Sequence, residues 1–190
     1  MPLIDKQFGN PAVGAAAGTG LALAVRAPLG LRPPQLWSGL RYGGAVAGAV
    51  SAGVAATTAL PRVRAAMHDR DLPAGTRRWL ALDIPLGTVW TEETLFRGML
   101  QTLATRAVGQ SRGRLLQAAA FGLWHIPDAR KTGEPVVGTV LVTGLAGWAF
   151  GWLAERSGSV LAPVLAHLAI NEAGAVAALL VQRRTVRWRR

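Results

Sequence analysis

Hydrophobic residues are gathered into six segments, which polar or basic stretches separate. Most of the segments approach the roughly 20 residues that an α-helix needs to cross a bilayer. The fourth is shorter, and Pro127 closes it. The pattern predicts an all-α fold, a polytopic transmembrane helical bundle with about six membrane segments. These segments cover residues 11–25, 40–60, 79–105, 114–126, 136–154 and 159–181.

The composition agrees with a single membrane domain. Hydrophobic residues make up 51% of the chain and charged residues 16%, and the mean hydropathy is +0.28, which is too apolar for an ordinary soluble domain. The first two segments are rich in Ala and Gly, which lets helix backbones approach closely, so we expect them to serve as a scaffold. Asp5 and Lys6 precede a Gly/Ala-rich stretch unlike a secretory signal peptide, and we interpret the first segment as a retained helix. Within residues 1–190 we expect accessory helices and a basic loop over 1–78, a core over 79–181 and a basic tail over 182–190.

Basic residues lie mainly between and after the hydrophobic segments. The chain has 21 Lys and Arg residues against 10 Asp and Glu, a formal net charge of +11. This placement indicates membrane topology and not nucleic-acid binding. By the positive-inside rule, the side that carries the RRTVRWRR sequence is cytoplasmic. We therefore expect a multi-pass protein of the cell membrane with a cytoplasmic C-terminus and with the lipid bilayer as its partner.

The third segment places three charged residues, Glu92, Glu93 and Arg97, in the middle of an apolar run. Each central charge costs about 2.5 to 3.5 kcal/mol on insertion scales, so this helix must be buried inside the bundle. Glu93 and Arg97 stand four residues apart, on one helix face, and can form an internal ion pair that locks helix packing. Glu92 points about 100° away and is left unpaired. An unpaired carboxylate in a membrane segment normally faces a wet cavity and has a function there.

Two further segments carry polar residues at one-turn spacing. Phe121 and His125 end the fourth segment, and His167 and Asn171 lie in the sixth. Alone, such residues are as often interhelical hydrogen-bonding groups as ligands. However, Glu92, His125 and His167 lie roughly 20, 16 and 12 Å from the same-side ends of their helices, near the middle of the bilayer for all three. The third, fourth and sixth helices can therefore converge on one site.

The residue types suggest hydrolysis. The chain contains no cysteine, so a metal would be bound by His, carboxylate or amide groups. His125, His167 and Glu92 form a possible site for a divalent metal, with zinc the first expectation, and Glu92 either binds the metal or holds its water. Asn171 can donate a hydrogen bond to the oxyanion of a peptide carbonyl. The soluble zinc-protease motif HExxH is absent.

Three motifs, in order on separate hydrophobic helices, carry a family resemblance. Glu92, Glu93 and Arg97 fit EExxxR, Phe121 to His125 fits FxxxH, and His167 to Asn171 fits HxxxN. The set resembles the CPBP intramembrane metalloprotease family, which includes type II CAAX prenyl endopeptidases and bacteriocin-processing or self-immunity proteins. The resemblance covers residues 79–181 and places the catalytic core in the last four segments.

The resemblance implies a membrane metalloendopeptidase that cleaves a membrane-anchored peptide or protein. Glu92 would activate the attacking water, His125 and His167 would hold the metal or that water, and Asn171 would help to stabilise the oxyanion. Glu93 and Arg97 would be supporting residues, and Phe121 would shape the cavity. Two other functions stay open: a non-catalytic membrane scaffold or bacteriocin self-immunity protein, and a proton-coupled transporter in which Glu92, His125 and His167 form a relay.

Overall fold

A computed structural model describes residues 10–187, with side chains described as far as Arg183. This part of the chain is helical and contains no β-strand, which confirms the all-α prediction. We number its helices in chain order, treating residues 76–108 as one continuous helix, α4. The helices are α1 Pro11–Ala24, α2 Gln35–Thr57, α3 Pro61–His68, α4, α5 Gln110–Trp124, α6 Ile126–Thr132, α7 Val136–Ser157 and α8 Leu161–Arg187.

Each of the six predicted segments coincides with a helix, but the count of about six membrane spans is not confirmed. Two stretches in the described chain, Val136–Ser157 and Leu161–Arg183, are long and apolar enough to cross a membrane. A third is added if α2 and α3, which meet at 96°, form one broken span. Helix α1 has 14 residues and α5 has 15, about 21 and 22 Å of helix against a hydrocarbon core of about 30 Å.

Two connections differ from the sequence prediction. The basic loop expected before residue 79 contains the short helix α3, which begins at Pro61 and ends at the exposed His68. Pro starts helices readily because its missing N–H would have no partner in the first turn. Helix α8 runs to Arg187, so most of the predicted basic tail continues this helix, and residues 188–190 and Lys6 lie outside the described residues.

The first two helices support the helices that carry the motifs. Helix α1 packs on α4, where a Cβ added to Gly18 would lie 3.2 Å from the carbonyl oxygen of Thr91, and Trp90 Nε1 donates a hydrogen bond to Thr19 Oγ1 at 2.9 Å. Helix α2 packs along α8, where a Cβ at Gly43 would lie 2.9 Å from the Cα of Ala162. The small residues of α1 and α2 thus allow the close backbone approach expected for a scaffold.

Helix α4 departs from regular α-helical hydrogen bonding around the motif. Residues Trp79–Trp90 and Thr94–Leu100 are π-helical, and the turn Thr91–Glu93 between them is α-helical. Wider π turns are rare and occur mostly at functional sites. Pro85, inside the first stretch, removes one backbone donor. Glu92 and Glu93 therefore lie where the helix changes its geometry.

The helix of the fourth predicted segment ends before His125 and not at Pro127. Helix α5 ends at Trp124, and His125 forms the junction with α6, its N–H donating to the carbonyl oxygen of Gly122 at 3.2 Å. Pro127 lies in the first turn of α6, where its missing N–H costs nothing. His125 is therefore a junction residue with a half-buried side chain.

Candidate active site

At the buried centre of the site, the carboxylate of Glu93 contacts both Arg97 and His167. Arg97 Nη1 donates to Glu93 Oε1 at 3.0 Å, and His167 Nδ1 lies 2.8 Å from the same oxygen. The side chains of Glu93 and Arg97 are fully buried. The predicted Glu93–Arg97 pair is thus present, and the sequence had not indicated that Glu93 also binds His167.

These contacts determine which nitrogen of His167 is free. Glu93 is compensated by Arg97 and accepts hydrogen bonds as a carboxylate, so Nδ1 of His167 carries the hydrogen. The Nε2 atom then presents its lone pair. A carboxylate that orients an imidazole in this way is a frequent partner of functional histidines.

Glu92 faces that lone pair. Its Oε2 lies 3.8 Å from His167 Nε2, which is longer than a hydrogen bond. The Oε2 atom is buried and has no hydrogen-bond partner among the described residues. Glu92 was predicted to remain unpaired; its Oε2 makes no hydrogen bond in the described chain but lies within ion-pair distance of His167, so α4 and α8 approach each other at these two residues.

His125 is oriented by its own helix. Its Nδ1 lies 2.7 Å from the carbonyl oxygen of Phe121, and because a carbonyl only accepts, Nδ1 carries the hydrogen and Nε2 is free. Among the described side chains, His125 makes no ion pair with Glu92. The Phe121 ring contacts both imidazoles, with its centroid 4.8 Å from that of His125 and 6.0 Å from that of His167.

Aromatic rings enclose the buried charges. The guanidinium carbon of Arg97 lies 4.1 Å from the ring centroid of Phe121 and 5.0 Å from that of Phe150. Phe150 stacks on His167 with centroids 5.1 Å apart and planes at 26°. Phe121 was predicted to shape the cavity, whereas Phe150 was missed. The available signal was the placement of Phe150 between Gly147 and Gly151 in a glycine-rich helix.

Asn171 lies one turn beyond His167, as predicted, but its side chain stays on its own helix. Its Nδ2 donates to the carbonyl oxygen of His167 at 3.4 Å, a long hydrogen bond. The side chain is partly buried. Its role towards an oxyanion stays a prediction.

The side chains as placed do not fit the expected zinc site. Catalytic zinc sites use three protein ligands, and no group of three or more His, Asp or Glu side chains in the described part of the chain is placed to hold a metal ion. Glu92 and His167 lie close together, whereas His125 is hydrogen-bonded to the backbone carbonyl oxygen of Phe121. The zinc expectation stays a prediction, and the chemistry below follows from the protein's own groups.

A set of buried polar residues beside the site was also missed. Gln101 on α4 and Gln117 on α5 are buried and donate hydrogen bonds to carbonyl oxygens of α7. The sequence signal that points to these two residues is the presence of glutamines in otherwise apolar helices. They connect to the Arg97 end of the site.

The helices and the buried glutamate–histidine cluster define a helical membrane protein with hydrolase-like groups in its interior. A family model described as type II CAAX prenyl endopeptidase Rce1-like matches residues 74–173. The match covers more than half of the chain and includes every residue predicted for the site. The chain belongs to this family of membrane-embedded peptidases, which confirms the resemblance seen in the three motifs. Searches of curated proteins and of solved structures found no significant match.

Proposed function

We propose that the protein is an intramembrane endopeptidase in which Glu92 activates water to hydrolyse a peptide bond of a membrane-anchored peptide or protein. One observation carries the proposal: Glu92 Oε2, buried and without a hydrogen bond in the described chain, lies 3.8 Å from the free Nε2 of His167. Membership of a peptidase family supports the same chemistry.

In this mechanism a water molecule lies beside both groups. Glu92 accepts one of its protons while the water oxygen attacks the peptide carbonyl carbon, and His167 Nε2 accepts a hydrogen bond from the other O–H. Collapse of the tetrahedral adduct breaks the C–N bond. The proton held by Glu92 passes to the leaving nitrogen, which gives one carboxylic acid and one amine.

The surrounding residues orient the side chains that contact the water and balance the buried charge. Glu93 holds His167 so that Nε2 faces Glu92, and Arg97 balances the charge of Glu93 in the buried interior, where bulk solvent does not screen it. The long Asn171 bond to its own helix leaves that amide able to turn towards the oxyanion. His125 Nε2 is available as a second acceptor beside Phe121.

Glu92→Gln tests the proposal, because it keeps the size of the side chain and removes the base. Detergent-purified protein would be incubated with two probes, a peptide ending in a prenylated CAAX sequence and an unprenylated single-helix membrane peptide, and the fragments identified by mass spectrometry. Loss of a general base is expected to lower turnover by about 10²-fold or more. Glu134→Gln, at an exposed position between α6 and α7, is the matched control.

Two results would overturn the proposal. Cleavage by the Glu92→Gln variant at the wild-type rate would exclude Glu92 as the base. Absence of cleavage by the wild type on either probe, together with an unchanged cellular phenotype of the variant, would favour the membrane scaffold or immunity function.

A further inference from the structure

A file of buried polar side chains extends from the site between α4, α5 and α7. Its members are Glu93, Arg97 and Gln101 on α4, Arg114 and Gln117 on α5, and Glu155 on α7. The α4 members are four residues apart and share one face of the helix. We call this set the polar file. Along α4 it extends over nine residues, from Glu93 to Gln101.

Hydrogen bonds join the members of the polar file into two groups, with Glu93, Arg97 and Gln117 in one and Gln101, Glu155 and Arg114 in the other. Arg97 Nη2 and Gln117 Nε2 both donate to the carbonyl oxygen of Gly147, at 3.4 and 2.8 Å. Gln101 Nε2 donates to the carbonyl oxygen of Gly151 at 3.2 Å and to Glu155 Oε1 at 2.8 Å. The other carboxylate oxygen of Glu155 accepts from Arg114.

Glycines on α7 provide the space for the two glutamines. A Cβ added to Gly151 would lie 2.6 Å from Gln117 Nε2 and 2.8 Å from Gln101 Oε1. Any larger residue there would displace both amides. The close approach of α7 and the position of the polar file therefore depend on each other.

Each α4 and α5 member of the polar file has a buried polar atom without a partner in the described chain. The acceptors are Glu93 Oε2, Gln101 Oε1 and Gln117 Oε1, and the donors are Nε of Arg97 and of Arg114. Leaving such atoms unsatisfied in an apolar interior is unfavourable, because each has lost its hydrogen bonds to water without gaining a replacement. Water both donates and accepts hydrogen bonds, as this mixture of donors and acceptors requires, and it is small enough to fit beside buried polar groups.

We infer that the polar file is hydrated and supplies water to Glu92, an inference that rests on the proposed function. Hydrolysis consumes one water molecule per bond, and the apolar helices around the site exclude bulk water. The file leads from Glu93 to Arg114 and Glu155, whose side chains are 17% and 14% exposed. Water enters at this opening, at the end of the bundle where α4 joins α5.

Radiolytic footprinting tests the inference without any substrate, because hydroxyl radicals formed from internal water oxidise the side chains beside it. Phe121 and Phe150 contact Arg97 of the polar file and are 2% and 5% exposed. We expect both rings to be oxidised in the wild type far more than this exposure allows. Trp37, 62% exposed, measures the dose, and the buried apolar residues Ile84 and Val164 are the dry controls. Labelling of the two rings no higher than that of the dry controls, after correction for intrinsic reactivity, would overturn the inference.

Substitutions at Gln101 separate hydration from simple helix-helix bonding. Gln101→Leu fills the space with apolar atoms, whereas Gln101→Ser leaves room for an additional water molecule. The expected result is that Leu lowers both the labelling of Phe121 and the kcat several-fold with KM unchanged, while Ser retains both. Gln110→Leu, at an exposed position on α5, should change neither. Equal losses in the Leu and Ser variants, in parallel with their thermal stability, would show that Gln101 only joins helices and would overturn the inference.

The two proposals fail separately. If Phe121 and Phe150 are labelled but Glu92→Gln cleaves like the wild type, Glu92 is not the catalytic base, whereas hydration of the polar file is supported. If Glu92→Gln abolishes cleavage while the two rings stay unlabelled, only the inference that the polar file is hydrated is overturned.

Discussion

His167 and Glu93 are 74 residues apart in the chain, and Nδ1 of the imidazole lies 2.8 Å from Oε1 of the carboxylate. Because Arg97 donates to the same oxygen at 3.0 Å, this one atom joins α4 to α8 and balances a buried positive charge. Glu93 therefore has two separable effects, on stability through Arg97 and on orientation through His167.

A pair of variants separates these effects. Arg97→Met leaves the carboxylate of Glu93 buried without its cation, and the expected cost is about 3 to 5 kcal/mol. The double variant Glu93→Met with Arg97→Met removes both charges and should recover most of that stability. Its turnover should nevertheless stay about 10- to 100-fold low, because His167 has lost the acceptor that orients it. Thermal unfolding in detergent and peptide cleavage measure the two quantities, and wild-type turnover in the double variant would contradict the role given to Glu93.

Phe150→Leu tests the stacked ring. Phe150 lies 5.1 Å from the His167 ring and 5.0 Å from the Arg97 guanidinium carbon, measured from its centroid. The loss of such ring contacts costs about 0.5 to 1.5 kcal/mol in addition to the loss of buried area. We expect lower thermal stability and reduced turnover. Trp152→Leu, at an exposed position of the same helix, is the control, and equal effects of the two substitutions would contradict a specific role for Phe150.

Two adjacent glycines test the packing of α2 on α8. A Cβ at Gly43 would lie 2.8 Å from the carbonyl oxygen of Ala162, whereas at Gly44 it would meet nothing within 4 Å. Gly43→Ala should therefore destabilise the protein by about 1 to 3 kcal/mol through overpacking. Gly44→Ala should be neutral or stabilise it by up to about 1 kcal/mol, since Ala favours helix. Thermal unfolding of both variants checks the prediction, which fails if Gly43→Ala is as stable as Gly44→Ala.

Chelation tests the expectation of zinc. Glu92 and His167 converge as two groups and not three, whereas a catalytic zinc site uses three protein ligands. If Glu92 activates water without a metal, the purified protein should therefore retain most of its cleavage activity after treatment with a chelator. Metal analysis of the wild type beside His125→Ala and His167→Ala gives the answer. One zinc per chain in the wild type, lost in both variants, would instead support the metal site that the sequence suggested.

The features predicted correctly from the sequence are those that depend on near neighbours in the chain. The six apolar segments coincide with helices because hydrophobic length and helical period are properties of the segments themselves. The Glu93–Arg97 pair was predictable because four-residue spacing places both on one helix face. The short helix α3 and the junction at His125 were missed, since Pro61 and Pro127 mark a helix start as readily as a stop.

The sequence by itself determined that this chain would place Glu92, Glu93 and Arg97 inside an apolar helix. It also placed His125 at the end of a second apolar segment and His167 inside a third, and these residues were sufficient to identify the family. The tertiary structure alone decided that Glu93 holds His167, that Phe150 stacks on the same ring and that Gln101 and Gln117 continue the polar file. The physical reason is that a helix turns about 100° per residue. Contacts between helices therefore depend on the rotation and depth of each one, which packing at residues such as Gly43 and Gly151 sets.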